Sequence, residues 1–165
     1  MLDRRGQLGL QRAPISLAAA IEHAVETARP VIEAGRHTLS VTLPAQPLPV
    51  DGDLSRLAQV FANVLINAAK YTPSGGRIAL AAQTHDGHAV VRVADSGIGI
   101  AAEDVPRIFQ IFGQAMASID RSQGGQGIGL ALARGLIEMH GGSIEAHSEG
   151  LGKGSEFVMR LPLCG

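Results

Sequence analysis

Residues 54–72 carry an apolar stripe and a polar stripe at the same helical period, and few folds accommodate both. Leu57, Val60, Phe61, Val64, Leu65 and Ala68 recur at i, i+3, i+4, i+7, i+8 and i+11, one core-facing side. Asn63, Asn67 and Lys70, four and then three residues apart, share a different side. The helix must therefore bury one face while presenting two carboxamides and an ammonium on another. Carboxamide oxygens are hard ligands suited to Mg²⁺, and an ammonium suits phosphate. Taken alone, the same stripe is also what a solvated polar face looks like.

The rest of the chain supplies partners for that helix. Residues 1–14 are polar and irregular and read as a linker remnant, with the domain proper over 15–165. Ser16 is placed to cap a helix from Leu17 to about Gly35, whose Leu17, Ile21, Ala24, Val25, Ala28 and Ile32 hold the helical period. Pro30 should kink or end it. His37–Leu43 alternates Thr38, Ser40 and Thr42 with Leu39, Val41 and Leu43, a half-buried strand. Pro44–Pro49 reads as a connection, and Asp51 and Asp53 offer caps for the helix that follows. Pro73-Ser-Gly-Gly stops that helix. Arg77–Thr84 and His88–Ala94 are strand-like, and Asp86-Gly87 between them signals a hairpin.

Beyond Asp95-Ser-Gly-Ile-Gly-Ile, a short helix is predicted around Asp104–Phe112. Gly113–Gln126 has few apolar residues and no period and reads as a mobile loop of a length that is usually functional or disordered. Gly127-Ile-Gly-Leu130 opens a helix that ends at Met139-His140, with Gly141-Gly142 as its stop. Ser143–Ser148 and Ser155–Leu161 are the last two strands.

Bulk properties exclude several classes. A length of 165 residues suits one domain with a real core. A net charge of −1, with no long run of one sign, leaves no surface for nucleic acid or an anionic membrane. With 3% aromatics, stacking platforms for bases are not expected either. The single Cys164 cannot form an internal disulfide and fits a reducing cytoplasm. No apolar run approaches a membrane span, and Met-Leu-Asp-Arg-Arg-Gly is not a signal peptide, so no direct membrane contact is expected of this chain.

The glycine-rich turns carry the chemical signal. Asp95 stands where an apolar strand meets Gly97 and Gly99, which let a backbone turn tightly and approach a ligand closely. An Asx-type turn capped by Asp95 would use the same residues. Gly97-x-Gly99-x-x-Ala102 formally matches the dinucleotide-binding fingerprint, but Glu103-Asp104-Val105-Pro106 interrupts the helix that fingerprint needs. Gly124-Gly-Gln-Gly-Ile-Gly-Leu130 directly precedes a helix, where free amides and the dipole favour an anion; a plain hinge would look alike. Gly152-Lys153 is no Walker loop, because His147 stands where its first glycine should be and Gly154 replaces Ser or Thr. It reads more simply as a turn into the final strand. His37 and His140, at element ends, read as structural.

These motifs, in this order, resemble the catalytic ATP-binding domain of sensor histidine kinases, in the superfamily that also includes gyrase, heat-shock-90 and mismatch-repair ATPases. The resemblance covers about residues 15–163. Asn63–Thr72 looks like the N box, Asp95–Gly99 the first glycine box, Ile108-Phe-Gln-Ile-Phe112 the F box, Gly125–Gly129 the second glycine box and Gly152–Ser155 the third. The resemblance implies ATP and Mg²⁺ as ligands. Asn67, with Asn63, would hold Mg²⁺ against the triphosphate, Lys70 would meet a phosphate, and Tyr71 would lie beside the nucleotide. Asp95 would accept a hydrogen bond from the adenine amino group, with Gly97 and Gly99 passing the base and Ser155 supporting Asp95. Residues 113–126 would be the ATP lid, with Arg121 a phosphate contact. Gly125, Gly127 and Gly129 would present amides to the phosphates, and Leu130 is a further nucleotide-binding position.

The implied fold is an α/β sandwich of the Bergerat type, a mixed, mostly antiparallel sheet with three main helices on one face. The implied function is to bind Mg-ATP and donate its γ-phosphate to a histidine on a separate dimerisation and phosphotransfer helical domain, for relay to a response regulator receiver domain. Such a chain would be cytoplasmic, or the cytoplasmic part of a membrane-bound sensor. Gln110-Ile111 departs from the usual acidic-Pro pair of the F box, and Gln126 stands where Thr is common. No phospho-accepting His followed by an acidic residue is read on a helix; His23 precedes Ala24. An ATP-driven clamp would need a glutamate four residues before Asn67, where Asn63 stands and cannot accept a proton. A protein-serine kinase of the superfamily and a non-catalytic nucleotide-binding module remain open as alternatives.

Overall fold

In the computed structural model, which describes residues 10–109 and 126–164, the stripe of Leu57, Val60, Phe61, Val64, Leu65 and Ala68 is fully buried along α2 (Leu54–Lys70). Asp53 caps this helix, its carboxylate accepting from Arg56 N at 3.2 Å. Helices α1 (Leu17–Ala34) and α3 (Gln126–Met139) both pack against α2, which is the central helix of the layer.

The three helices cover a five-stranded sheet. Its members are β2 (Thr38–Thr42), β4 (Arg77–His85), β5 (His88–Asp95), β6 (Ser143–His147) and β7 (Ser155–Pro162), in the order β2-β4-β5-β7-β6. The β2–β4 pair is parallel and the others are antiparallel, as expected of a mixed, mostly antiparallel sheet. Period-2 alternation sends Leu80, Val93 and Phe157, which are register partners across β4, β5 and β7, into the core beneath the helices. The β4–β5 hairpin turns on Asp86 (φ 51°) and Gly87 (φ 78°), both left-handed as a two-residue turn requires. Helix α3 stops in a Schellman arrangement, with Gly141 N donating to Glu138 O at 2.9 Å and Gly142 N to Ile137 O at 3.0 Å.

Four expectations change. Pro30 neither ends nor shortens α1, which continues to Ala34. Pro30 lies on the exposed side, while Ala28 and Ile32 on the buried side keep the last turn on the core. Ala13 and Pro14 are not irregular, and Pro49 does not merely end a connection. Strand β1 (Ala13–Ser16) pairs antiparallel with β3 (Pro49–Gly52) as a separate two-stranded sheet. Each strand is four residues long and contains a proline without an N–H, so neither reads as a strand by itself. Strand β2 is less buried than its alternation suggests, because it is an edge strand and Val41 is exposed. The helix around Asp104–Phe112 is, within the described residues, one 3₁₀ turn at Val105–Arg107.

His140 is structural. It is buried at the end of α3, where its Nε2 accepts from Asp53 N at 3.1 Å and its Nδ1 donates to Leu136 O at 2.7 Å. It therefore clasps the end of α3 to the start of α2. Among the described residues no helix is long and apolar enough to cross a membrane.

Candidate functional site

Where the C-terminal end of α2, the turn after β5, the 3₁₀ segment and the loop before β7 meet, the molecule encloses a cavity of about 200 Å³. Ile98, Ile100, Ile108, Leu151 and Phe157 make its wall apolar, and Asn67, Tyr71 and Ser155 supply polar groups. Concave, mostly apolar sites with a few placed polar groups are where small ligands bind.

Asn67 is the most unusual of these groups. It is only 7% exposed, and its Oδ1 has no hydrogen-bond partner among the described residues. Buried carboxamide oxygens are nearly always paired, so this orphan on a cavity-lining residue is a candidate partner for a bound group. Asn63 shares the helical stripe but not the cavity. Its Nδ2 donates to Gly129 O at 3.2 Å, where α3 packs on α2, and it borders a groove with His23 and Thr27 of α1. One helical turn thus separates the two carboxamides into different surroundings. Lys70 ends α2 and is exposed. Tyr71 lines the cavity, its N–H donating to Asn67 O at 3.1 Å and its carbonyl accepting from Ile98 N at 3.0 Å.

That last bond draws the first glycine turn against the end of α2. A Cβ at Gly97 would lie 2.3 Å from Tyr71 O, so no other residue fits. Gly99 has φ 76°, and a Cβ there would lie 2.1 Å from Gly150 O.

Asp95 is the last residue of β5 and the register partner of Ser155. Its Oδ1 accepts from Gly97 N at 2.8 Å and its Oδ2 from Ser155 Oγ at 2.8 Å. Burial pushes the Asp95 carboxyl above its ordinary range, and this outweighs the opposite pull of the Gly97 and Ser155 donors and of the Thr72 hydroxyl, which lies outside full hydrogen-bond geometry. Asp95 stands one hydrogen bond behind the cavity, because Ser155 forms the wall. A carboxylate has lone pairs to spare beyond these two bonds.

The remaining sequence-predicted positions divide. Gly127 and Gly129 lie in the first turn of α3. Leu130 is 1% exposed and belongs to the hydrophobic core, not to the cavity lining. Arg121, Gly125 and most of the expected ATP lid lie outside the described residues.

Several residues in and beside the site were given no individual role by the sequence, although Thr72 and Ile98 lie within motifs it identified. Thr72 is buried, and His37 Nε2 donates to its carbonyl at 2.7 Å. Ile98, inside the first glycine box, supplies apolar wall together with Leu151 and Phe157, neither of which had a role in the site on sequence grounds. The described residues hold no group of three His, Cys, Asp or Glu side chains that could cage a metal. A divalent cation fits the site if Asn67 Oδ1 contributes one ligand and a bound phosphate contributes others, as Mg²⁺ commonly is held.

Residues 52–165 match the family described as histidine kinase-, DNA gyrase B- and HSP90-like ATPase. The histidine protein kinase DivJ of Caulobacter vibrioides is 35% identical over 154 residues, covering 93% of this chain and 26% of that protein. The chain therefore spans about a quarter of that relative's length. Among solved structures, the mycobacterial sensor histidine kinase MprB superposes with a TM-score of 0.78 at 29% identity, over 92% of this chain and 97% of that one. Full-length ShkA in complex with AMPPNP superposes with a TM-score of 0.79 at 29% identity, over 94% of this chain and 32% of that one.

Proposed function

We propose a function from one premise: the chain belongs to the histidine kinase-, DNA gyrase B- and HSP90-like ATPase family, and within it is an ATP-binding catalytic domain of the sensor histidine kinase type. It binds Mg-ATP in the cavity at the end of α2 and donates the γ-phosphate to a histidine on a separate helical dimerisation domain, from which a response regulator receiver takes it. The observation that supports this best is Asn67, a buried residue lining a mostly apolar cavity, whose Oδ1 has no hydrogen-bond partner among the described residues.

Asp95 accepts a hydrogen bond from the adenine amino group, with Ser155 and Gly97 holding the carboxylate in place. Ile98, Ile100, Leu151 and Phe157 exclude water from the base. Asn67 offers its carboxamide oxygen to the cation that accompanies the triphosphate, and Asn63, donating through Nδ2 to Gly129, offers its own as a second ligand. Mg²⁺, when bound, neutralises charge on the phosphate oxygens. Lys70 meets a phosphate as a point charge, and the amides of Gly127 and Gly129 at the start of α3 meet another. These groups work by positioning and charge stabilisation. The attacking imidazole forms the new N–P bond as the bond to the β-phosphate oxygen breaks and ADP leaves. An imidazole is already nucleophilic, so the chain needs no strong base of its own.

Purified alone, the chain should bind ATP and turn it over slowly. With a dimeric helix bundle bearing the acceptor histidine, it should yield an acid-labile, base-stable phosphoprotein. Fast hydrolysis by the chain alone, abolished by Asn63→Ala, would replace this reading with an ATP-driven clamp.

A further inference from the structure

The two glycine loops beside the cavity are joined by a short ladder. Gly152 N donates to Ile98 O at 2.7 Å, and Gly154 N donates to Gly97 O at 3.1 Å. At the third crossing a side chain replaces the backbone: Ile100 N donates to Ser148 Oγ at 3.0 Å. The same oxygen accepts from Gly150 N at 3.2 Å, and its proton goes to Gly154 O at 2.7 Å, with Gly150 O farther off at 3.3 Å. A serine hydroxyl has one proton and two acceptor lone pairs. All three are used here, on main-chain groups from both loops.

This ladder holds apolar side chains where water would otherwise disfavour them. Leu151 is 70% exposed and Ile98 is 50% exposed, and of the four exposed large hydrophobic residues among those described, these two line the cavity. Neither is held by burial, so their position depends on the loop backbone. Ser148 follows the last residue of β6 and is the side chain that ties the Gly150–Gly154 loop to the turn after β5.

We propose that Ser148 is a positioning residue of the nucleotide site: its hydroxyl sets the third glycine loop against Ile98–Ile100, so that Leu151 and Ile98 form an apolar clamp on the base. This rests on the reading of the cavity as a nucleotide site. Ser148 does not touch the ligand and acts through the loop that it pins. Ser148→Ala leaves the amides of Ile100 and Gly150 without their acceptor and the Gly154 carbonyl without its donor.

The test compares native chain, Ser148→Ala, Ser148→Thr and Leu151→Ala by amide exchange without nucleotide and by titration with a non-hydrolysable ATP analogue. Ser148→Ala should speed exchange at Ile100 and Gly150 and raise the Kd about tenfold. Ser148→Thr, which keeps the hydroxyl, should restore most of both. Leu151→Ala should raise the Kd while leaving exchange at Ile100 as it is. A folded Ser148→Ala chain with native exchange at Ile100, or with a Kd within about twofold of native, overturns the proposal. If Ser148→Ala does not fold, a native Kd for Leu151→Ala overturns it instead. Failure of the native chain to bind the analogue would sink the nucleotide-site reading, whereas exchange in the ligand-free chains would still decide whether Ser148 orders the loop.

Discussion

Asp95 and Ser155 face each other across β5 and β7, and Ser155 Oγ donates to Asp95 Oδ2 at 2.8 Å. Both occupy the final inward-pointing row of the sheet. The preceding inward rows are apolar, Val93 against Phe157 and Val91 against Met159. The same alternation that builds the core therefore carries a carboxylate to a position one hydrogen bond behind the cavity wall, on the helix-covered side.

Base choice should depend on that carboxylate. An ionised Asp95 only accepts hydrogen bonds, so it suits the amino group at position 6 of adenine and opposes the carbonyl of guanine. A buried polar group left unpaired costs about 1–3 kcal/mol, so ATP should be preferred by at least about fivefold, each 1.4 kcal/mol being about tenfold. Asp95→Asn should weaken ATP binding and narrow the preference, because an amide can donate to the guanine oxygen. Competition of the two nucleotides on both chains checks this; an unchanged ratio in a folded variant removes the adenine role.

The pH dependence of stability and of binding should run in opposite directions. Burial raises the folded-state pKa of Asp95 above its ordinary 3.8. Between the ordinary and the raised value the folded chain holds more protons than the unfolded one, so the contribution to stability is present at lower pH and is lost as pH rises through the folded pKa. If Asp95 accepts from adenine as proposed, ATP binding needs the ionised form and should strengthen over the same rise. Asp95→Asn should flatten both dependences, as denaturation midpoints and analogue affinities measured from the acidic range to neutrality would show.

Asn67→Ala should separate binding from folding. Asn67 Oδ1 has no protein partner among the described residues to lose, so the change in stability should stay within about 1 kcal/mol. Affinity for Mg-ATP and its Mg²⁺ dependence should both fall. Calorimetric titration with and without Mg²⁺ checks this, and unchanged affinity together with unchanged Mg²⁺ dependence removes Asn67 as a ligand.

His140→Ala should do the reverse. It empties a buried site and leaves Asp53 N and Leu136 O without partners, which should cost about 2–4 kcal/mol. The clasp holds the N-terminal end of α2, whereas the cavity lies at the C-terminal end. Thermal unfolding should show the loss, while the analogue Kd of the folded variant stays within about twofold of native.

What the sequence determined by itself is local. The stripe of α2 and its Asp53 cap, the Asp86-Gly87 hairpin, the Gly141-Gly142 stop and the order of glycine-rich turns all arise from side-chain periodicity and backbone allowance over a few residues. Such preferences act before any tertiary contact exists, so they can be read directly. The order of the motifs also sufficed for the family. Tertiary structure decided the rest. Pro30 stayed helical because the buried side of α1 outweighs one missing hydrogen bond, and Ala13–Ser16 became a strand only because residues 49–52 came alongside it. Asn63 and Asn67 look equivalent on a helical stripe, yet α3 packs over one and a cavity opens beside the other. The Ser155 hydroxyl and the Asp95 carboxylate it holds are 60 residues apart, a pairing that the family resemblance implied and that residue patterning alone did not. Register across strands and the packing of one helix on another depend on surfaces brought together from distant parts of the chain, and short-range patterns do not encode that distance.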